Sequence, residues 1–230
     1  TGQPVGRLLG GRYRDRVMPY ASLLMSEPER MAEPLLGLIE QGFRAFKIGW
    51  GPFGRCDDAT DEAIVRVARE AVGQDVRVMV DAGASDAFWH RGYKWALKTA
   101  AMLAGYNIDW FEEPLPPDAL EDFVQLRRRA PLSITGGEAL TRRQSFLPWL
   151  VQGAFDIVQP DVTKVGGITE SRRIAWMAAE HGVKFVPHGW NTAVGLAADL
   201  QLASALPDTD MVEYIIGSPY VDDIVAMPWK

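Results

Sequence analysis

Short apolar runs alternate along the chain with longer segments of helical periodicity, and this alternation restricts the fold more than any other feature of the sequence. We predict strands at residues 17–24, 44–48, 76–81, 109–112, 132–136, 156–159, 184–187 and 211–215. Several of these runs carry Val, Ile or Phe at both odd and even positions, which is typical of strands buried on both faces of a parallel sheet. The pattern therefore predicts an α/β fold.

Segments with an apolar period near 3.6 residues separate the strands and predict seven helices. They lie at residues 29–41, 58–72, 92–104, 117–129, 142–151, 169–181 and 193–206. Gly42 and Gly182 follow two of these segments, at the place where a left-handed glycine commonly ends a helix. Eight strands joined by seven helices fit a closed parallel barrel, because each connection is long enough for a right-handed crossover.

An open, doubly wound parallel sheet is the alternative architecture. No glycine-rich dinucleotide fingerprint follows the first predicted strand, which weakens that alternative. No linker or low-complexity segment divides the sequence, so we predict one domain over residues 1–230. Because 47% of the residues are apolar, the chain has enough apolar side chains for a large core.

Charge and cysteine content narrow the expected partners and location. The chain has 24 Lys and Arg against 30 Asp and Glu, a net charge of −6, and no long basic run. We therefore expect neither nucleic acid nor a membrane as a partner. The single cysteine, Cys56, cannot form a disulfide within the chain, and no secretory signal pattern opens the sequence. These features lead us to expect a cytoplasmic protein.

Three acidic residues end three consecutive predicted strands. Asp81, Glu112 and Glu138 follow the third, fourth and fifth strands, and the carboxyl ends of barrel strands are where reactive groups gather. Three neighbouring carboxylates repel one another unless a cation lies between them, and a ligand set of oxygen alone favours Mg²⁺. The alternative is that these acids are helix caps or surface ion pairs. We predict a magnesium site.

Lys47, Asp161 and His188 end the second, sixth and seventh predicted strands. A carboxylate that binds one imidazole nitrogen fixes the tautomer and makes the other nitrogen more basic, so Asp161 and His188 form a candidate acid–base pair. A lysine close to Mg²⁺ has a lowered pKa, which suits a general base. We predict that these three residues are catalytic, although a lysine at the end of a strand can also be an ordinary solvated charge.

These residues lie in motifs that resemble the enolase superfamily, in particular its mandelate racemase-like subgroup. The matching stretches cover nearly the whole chain in the expected order: Phe46-Lys47-Ile48-Gly49, Val80-Asp81-Ala82-Gly83, Phe111-Glu112-Glu113-Pro114, Gly136-Gly137-Glu138, Gln159-Pro160-Asp161 and Pro187-His188-Gly189. The resemblance implies a TIM-like modified (β/α)₇β barrel behind a separate α+β capping domain. A chain of 230 residues leaves no room for that domain, so we expect it to be missing from this chain.

The resemblance also implies roles for individual residues. Asp81, Glu112 and Glu138 resemble the Mg²⁺ ligands, while Lys47 and the Asp161–His188 pair resemble acid–base groups on opposite faces of the substrate. Three more residues are candidates for contact with the substrate. They are Glu213 on the eighth strand, Glu113 beside the proposed ligand Glu112, and Trp50 in the loop after the second strand. Trp50 could equally belong to an aromatic rim with no contact to substrate.

Two positions depart from the family pattern. Ala45 occupies a position where the family often has a lysine, and Gly83 stands where the third strand often carries an asparagine. The second change removes a hydrogen bond to substrate or leaves another residue to supply it. Both changes affect the identity of the substrate and leave the metal site intact.

The motifs predict a reaction type rather than a particular compound. We expect Mg²⁺-dependent removal of the proton next to a carboxylate, followed by loss of water from an acid sugar to give a 2-keto-3-deoxy sugar acid. The alternatives are a racemase or epimerase of a 2-hydroxy acid and a non-catalytic barrel protein. By resemblance we expect a small acid-sugar substrate and a homo-oligomer.

Overall fold

The structure, a computed structural model, describes residues 1–227 and 229. Within these residues eight strands alternate with helices: β1 (Met18–Leu24), β2 (Ala45–Gly49), β3 (Arg77–Asp81), β4 (Trp110–Glu112), β5 (Ser133–Gly136), β6 (Ile157–Val158), β7 (Lys184–Phe185) and β8 (Met211–Ile215). Seven lie within a predicted strand, and β2 extends one residue beyond its predicted end, so the alternation read from the sequence is confirmed and the α/β class with it.

Seven long helices connect the strands, as predicted. They are α2 (Pro28–Glu40), α3 (Asp58–Val72), α4 (Tyr93–Gly105), α5 (Leu120–Arg129), α6 (Arg142–Gln152), α8 (Gly167–Glu180) and α9 (Ala193–Ala205). Three helices of a single turn were not predicted: α1 (Val5–Leu8), α7 (Val162–Val165) and α10 (Pro219–Asp222). Four residues are too few to produce an amphipathic period, which explains why the sequence gives no signal for them.

The chain forms two compact units, which are described one at a time. The first unit comprises Tyr20–Gly136 with Gly153–Asp156, and the second comprises Thr1–Pro19, Gly137–Gln152 and the described residues from Ile157 onward. The prediction of one domain over residues 1–230 stays a prediction.

The first unit contains β2 to β5 and most of β1, paired in parallel in chain order. Every residue of β2 is buried, as expected for a strand covered on both faces. On α2, the buried residues Met31, Leu35 and Leu38 recur at helical spacing, and α2 packs against α3. The parallel register places Gly49 beside Asp81.

Local capping explains where α3 begins and ends. The Asp57 side chain accepts a hydrogen bond of 2.8 Å from the backbone N–H of Thr60. This bond satisfies one of the N–H groups that the first turn of a helix leaves without a partner. Gly73 ends the helix with a φ of 80°, a conformation that glycine adopts without steric cost. The observed bounds of α3 are those predicted.

The second unit contains β6 and β7 as a parallel pair together with β8. In this unit α6 packs against α8, and α9 packs against the strand β8. Leu196, Val212 and Ile215 belong to one buried cluster that joins α9 to β8. In the described part of the chain, no helix has both the length and the apolar composition required to span a membrane.

Candidate active site

A buried lysine contacts two buried carboxylates in the first unit. Lys47 Nζ is 2.6 Å from Glu112 Oε1 and 3.8 Å from Asp81 Oδ2. Lys47, Asp81 and Glu112 are only 3%, 6% and 1% exposed. The three residues come from neighbouring strands, because β3 lies between β2 and β4 and Asp81 pairs directly with Glu112. Burying one cation with two carboxylates leaves a local excess of negative charge, which a second cation would compensate.

The protein orients each of these carboxylates with an N–H group. Asp81 Oδ1 accepts a hydrogen bond of 2.8 Å from the backbone N–H of Gly83, and Glu112 Oε2 accepts one of 3.0 Å from the indole of Trp110. In each side chain the other oxygen is the one directed toward Lys47. These charge-assisted bonds fix both carboxylates and leave one oxygen of each facing the same cation.

Gly49 makes this arrangement possible. A Cβ atom at Gly49 would lie only 2.7 Å from Asp81 Cβ, which is closer than carbon atoms pack. A glycine is therefore required beside Asp81 if the aspartate is to keep its position. The glycine in the Phe46-Lys47-Ile48-Gly49 motif thus has a steric reason.

Two residues just after strand ends have strained backbones. Glu113, which is 3% exposed, has a φ of 37°, and Trp50 has a φ of 58°. Residues other than glycine rarely adopt such φ values, because each costs about 1–3 kcal/mol. Such strain is concentrated at functional sites. Trp50 is half-buried in the loop that follows β2, as predicted.

A chain of three side chains forms in the second unit around His188. His188 Nδ1 is 2.9 Å from Asp161 Oδ2, and His188 Nε2 is 2.8 Å from Glu138 Oε2. Asp161 and His188 lie beyond the ends of β6 and β7, and a single parallel bridge pairs them. The predicted contact between Asp161 and His188 is therefore present, three residues beyond each regular strand rather than at its end.

Asp161 is held in place by the helix that it begins. Its Oδ1 atom accepts hydrogen bonds of 2.8 Å from the backbone N–H and 2.6 Å from the hydroxyl of Thr163, so that Asp161 caps α7. Burial raises the pKa of Asp161, but the hydrogen bonds from His188 and Thr163 outweigh this effect and lower the pKa to about 2. Asp161 is therefore an anion at neutral pH.

The surroundings of His188 favour its protonated form. Burial alone lowers its pKa, but the hydrogen bonds to Asp161 and Glu138 and the charges of Glu138 and Glu213 raise the pKa well above its ordinary value of 6.5. With both ring nitrogens facing carboxylates, the imidazolium form donates two hydrogen bonds. His188 is thus arranged as an acid that can deliver a proton.

Glu213 lies on β8 and is 2% exposed. Its Oε2 atom accepts a hydrogen bond of 2.8 Å from the backbone N–H of Gly189, the residue after His188. A Cβ at Gly189 would come within 2.8 Å of Glu213 Cβ, so this position, like Gly49, tolerates only glycine without movement of its neighbours.

Asp199 is an acid near this group that the sequence did not reveal. It lies on α9, is 2% exposed, and its Oδ1 atom has no hydrogen-bond partner among the described residues. Burial and the charges of Asp161 and Glu213 raise the pKa of Asp199 well above its ordinary value of 3.8. The charge of His188 lowers this pKa but does not offset the rise. In the sequence it is the one charged residue of α9, and that charge is the only signal of it.

The nine predicted site residues divide between the units. The first unit holds Lys47, Trp50, Asp81, Glu112 and Glu113, and the second holds Glu138, Asp161, His188 and Glu213. Two of the three predicted metal ligands, Asp81 and Glu112, lie side by side. In the described chain no three His, Cys, Asp or Glu residues are grouped as a formed metal site, because Glu112 faces Lys47 and Glu138 faces His188. The three-ligand site stays a prediction.

Comparison with known proteins gives one family match. The model of the family described as enolase C-terminal domain-like matches residues 30–229. Among curated proteins, D-galactarolactone cycloisomerase of Agrobacterium fabrum is 38% identical to this chain, over 90% of this chain and 54% of that protein. D-gluconate dehydratase of Thermoproteus tenax is 29% identical over 100% of this chain and 47% of that protein. The chain thus spans about half the length of these curated relatives.

Solved structures agree in fold. A Bordetella bronchiseptica protein provisionally named a mandelate racemase, crystallised with 2-oxoglutarate and phosphate, has a TM-score of 0.90 and 35% identity over 99% of this chain and 61% of its own. The 3,6-anhydro-D-galactonate cycloisomerase of Zobellia galactanivorans has a TM-score of 0.85 and 32% identity over 94% of this chain and 58% of its own. These matches confirm the predicted TIM-like α/β class.

Proposed function

Because this chain belongs to the enolase superfamily, through the family described as enolase C-terminal domain-like, we propose that it removes the proton α to the carboxylate of an acid sugar and then expels the β-oxygen. The observation that carries the proposal is the buried contact of Lys47 with Asp81 and Glu112. Burial of three charged groups costs several kcal/mol each unless they are compensated, and packing the core does not require them there.

The donor atoms in the first unit fit a divalent cation. Asp81 and Glu112 each direct one oxygen toward the cationic nitrogen of Lys47, and oxygen ligands of this kind suit Mg²⁺. We propose that Asp81, Glu112 and Glu138 hold the ion. When bound, Mg²⁺ supplies positive charge that stabilises the enolate oxygens and favours the neutral amine of Lys47.

Lys47 and His188 divide the proton transfers. Neutral Lys47 takes the proton from the α-carbon, and the electron pair of that C–H bond moves into the carboxylate group to give the enolate. As these electrons return to form the double bond between the α- and β-carbons, the bond from the β-carbon to its oxygen breaks, and the proton of His188 passes to the departing hydroxyl, which leaves as water. The remaining enol becomes a 2-keto-3-deoxy acid. A positioned acid or base contributes about 10²–10⁴-fold to such a rate.

The second unit supports the role of His188 as the acid. Asp161 stays ionised and keeps His188 protonated and oriented through its Nδ1 atom, so that a proton remains available on the ring. Glu213 has its Oε2 atom held by Gly189, and we propose that it hydrogen-bonds the substrate carboxylate.

The names of two similar proteins favour a second candidate. Both D-galactarolactone cycloisomerase and 3,6-anhydro-D-galactonate cycloisomerase are named as isomerases of cyclic acid sugars. For this chain the same first step on a cyclic acid sugar would expel a ring oxygen that stays attached to the product. Dehydration and cycloisomerisation then differ only in the leaving group. Return of the proton by the opposite group would instead give an epimerase.

Product mass separates these reactions. We expect the protein, expressed with its full natural coding sequence and supplied with Mg²⁺, to convert at least one member of a panel of hexonates, pentonates, aldarates and their lactones. A 2-keto product detected by semicarbazide and lighter than the substrate by one water indicates dehydration. A keto product of unchanged mass indicates cycloisomerisation, and a new stereoisomer without a keto group indicates epimerisation.

Substitution of the proposed acid and base tests the mechanism. Lys47→Ala and His188→Asn are each expected to lower turnover by at least about 10²-fold. Lys98→Ala and His181→Asn are matched controls, because Lys98 and His181 are exposed and lie outside the proposed site. If no acid in the panel yields product or exchanges its α-proton with deuterated solvent, the proposal is wrong.

A further inference from the structure

Gly83, two residues after Asp81, has no side chain, and the indole ring of Trp50 occupies the space where one would extend. Gly83 has a φ of 65°, and a Cβ built on it would lie 2.5 Å from Cε2, 2.6 Å from Cδ2 and 2.8 Å from Nε1 of Trp50. The indole therefore occupies the volume into which a side chain at position 83 would extend. The backbone N–H of Trp50 also donates to the carbonyl of Asp81, at 3.1 Å, so the two loops are joined at this point.

The indole N–H of Trp50 has no hydrogen-bond partner among the residues that the structure describes. Elsewhere in the first unit, neutral N–H groups bind buried carboxylates: Trp110 Nε1 donates to Glu112, and the backbone N–H of Gly83 donates to Asp81. Trp50 is half-buried, follows the strand that carries Lys47, and lies against the residue two positions after Asp81. Among the described residues, its donor is thus a polar group without an acceptor, next to the guanidinium of Arg55.

Arg55 holds the indole in place. Its guanidinium lies 5.6 Å from the ring centroid of Trp50 and 5.3 Å from that of Trp89. It also donates to the carbonyl oxygen of Ala82 at 3.3 Å and pairs with Asp86 at 3.0 Å. Cation–π contact and hydrogen bonding together tie the loop after β2 to the loop after β3. A donor fixed in this way binds an acceptor without first losing side-chain freedom.

We propose that Trp50 contacts the substrate through its indole N–H, as the hydrogen-bond donor to a hydroxyl or carboxylate oxygen of the acid sugar. This inference rests on the function proposed above and specifies one of its contacts. A neutral N–H recognises an oxygen acceptor without adding charge, and its fixed position favours acids that carry an oxygen at the matching carbon. Trp50 is therefore a specificity-determining residue, and the glycine at position 83 is what gives its ring room.

The test compares binding of hydroxylated and plain acids. With Mg²⁺ present, D-gluconate and D-galactarate are titrated calorimetrically against Trp50→Phe, which keeps an aromatic ring and removes the N–H. Hexanoate and adipate, which have the same carbon chains without hydroxyls, serve as reference ligands. We expect the Kd of at least one hydroxylated acid to rise about 3- to 10-fold, the worth of one neutral hydrogen bond, while reference ligands change less than 2-fold.

Two further variants separate the contact from simple packing. Trp176→Phe is the matched control, because Trp176 is 49% exposed on α8, and we expect it to bind as the unaltered protein does. Gly83→Ala keeps the indole but adds a Cβ that must displace its ring, and we expect the same loss of affinity as for Trp50→Phe.

A measurement on the unaltered protein needs no variant to fold. In ¹⁵N-labelled protein the indole N–H signal of Trp50 is expected to move downfield when a hydroxylated acid binds, while that of Trp176 stays in place. Wild-type affinity in both Trp50→Phe and Gly83→Ala, or a Trp50 signal that does not move on binding, overturns the inference alone. Failure of every acid to bind the unaltered protein overturns the proposed function together with it.

Discussion

Single side chains in this protein have properties that their neighbours determine. Asp161 and Asp199 are both aspartates buried in the second unit, yet their pKa values move in opposite directions. Asp161 receives hydrogen bonds from Thr163 and faces His188, so its charged form is stabilised. Asp199 receives no such bond at Oδ1, so its neutral form is favoured. The first is suited to hold an imidazolium, and the second is a source of instability.

Asp199→Asn is expected to stabilise the protein in a pH-dependent manner. Because the pKa of Asp199 is higher in the folded state than its ordinary value of 3.8, folding takes up a proton as the pH rises above that value, and stability declines. Asparagine has the same shape and does not ionise. The Tm of the variant should equal that of the wild type at pH 3.5 to 4 and exceed it by several degrees at pH 8, since 1 kcal/mol corresponds to about 2–4 °C at this size.

Asp208→Asn provides the control for this measurement, because Asp208 is exposed in the turn after α9. Its Tm should follow that of the wild type at every pH. A gain for Asp199→Asn that is the same at pH 4 and pH 8, or no gain at all, would show that Asp199 is ionised at no cost in the folded protein.

Residue identity predicted the candidate groups better than it predicted their contacts. The sequence places Lys47, Asp81 and Glu112 at the ends of neighbouring strands, and the structure brings them together. The contact of Trp50 with Gly83 could not be predicted, because it depends on positive φ values at both residues. Such values follow from the tertiary structure and leave no periodic pattern in a sequence.

At the scale of the elements, one buried arginine joins three segments of the first unit. Arg69 on α3 is 3% exposed and donates to four backbone carbonyl oxygens, those of Gly73, Val76, Tyr106 and Asn107, at 2.6–2.9 Å. It therefore connects the end of α3 to the approach to β3 and to the loop between α4 and β4. Carbonyl groups at the ends of helices need such partners when they are buried.

Arg69→Ala is expected to destabilise the protein by about 3 kcal/mol or more, because it leaves several buried carbonyl oxygens without a donor. Arg69→Lys should recover less than half of this loss, since an ammonium group cannot reproduce the planar fork of donors. The measurement is the free energy of unfolding in urea. Arg66→Ala on the same helix removes only an exposed ion pair with Glu70 and should cost below about 0.5 kcal/mol. Equal losses for Arg69→Ala and Arg66→Ala would contradict the assignment.

Element bounds were predicted well where periodicity is long and poorly where polar chemistry interrupts it. The bounds of α3 were predicted correctly, whereas β6 and β7 have two residues each instead of the four predicted. The chain leaves the regular ladder before it reaches Asp161 and His188, which pair through a single bridge. The start of α5 is three residues later than predicted, because residues 116–119 form a turn closed by a bond from the Ala119 N–H to the Pro116 carbonyl.

At the scale of the whole molecule, the alternation of strands and helices was sufficient to predict the fold class. Such a pattern is spread over the full length of the chain, so no single misjudged residue changes it. The reaction is a different case, because relatives of this chain carry the names of a cycloisomerase and a dehydratase. Fold alone does not distinguish them, since function depends on the site that a fold carries.

Magnesium is expected to raise the thermal stability of the whole protein. Binding to the folded state alone adds about 2.7 kcal/mol when Mg²⁺ is present at about 100 times its Kd, which corresponds to a rise in Tm of about 5–10 °C at this size. Differential scanning calorimetry with and without Mg²⁺ measures this rise. Substitution of any proposed ligand, as in Asp81→Asn, Glu112→Gln or Glu138→Gln, should remove most of it, and substitution of exposed Glu121 should not. An equal rise in all of these variants would place the ion elsewhere.

The glycines beside Asp81 and Glu213 have a consequence for laboratory evolution of this protein. Any residue larger than glycine brings a β-carbon against Asp81 at position 49 or against Glu213 at position 189. In random libraries that vary these two codons, most clones will carry a side chain that displaces Asp81 or Glu213. Diversity aimed at new substrates is better directed to the loop codons around Trp50, where the proposed contact would be altered and Asp81 and Glu213 would stay in place.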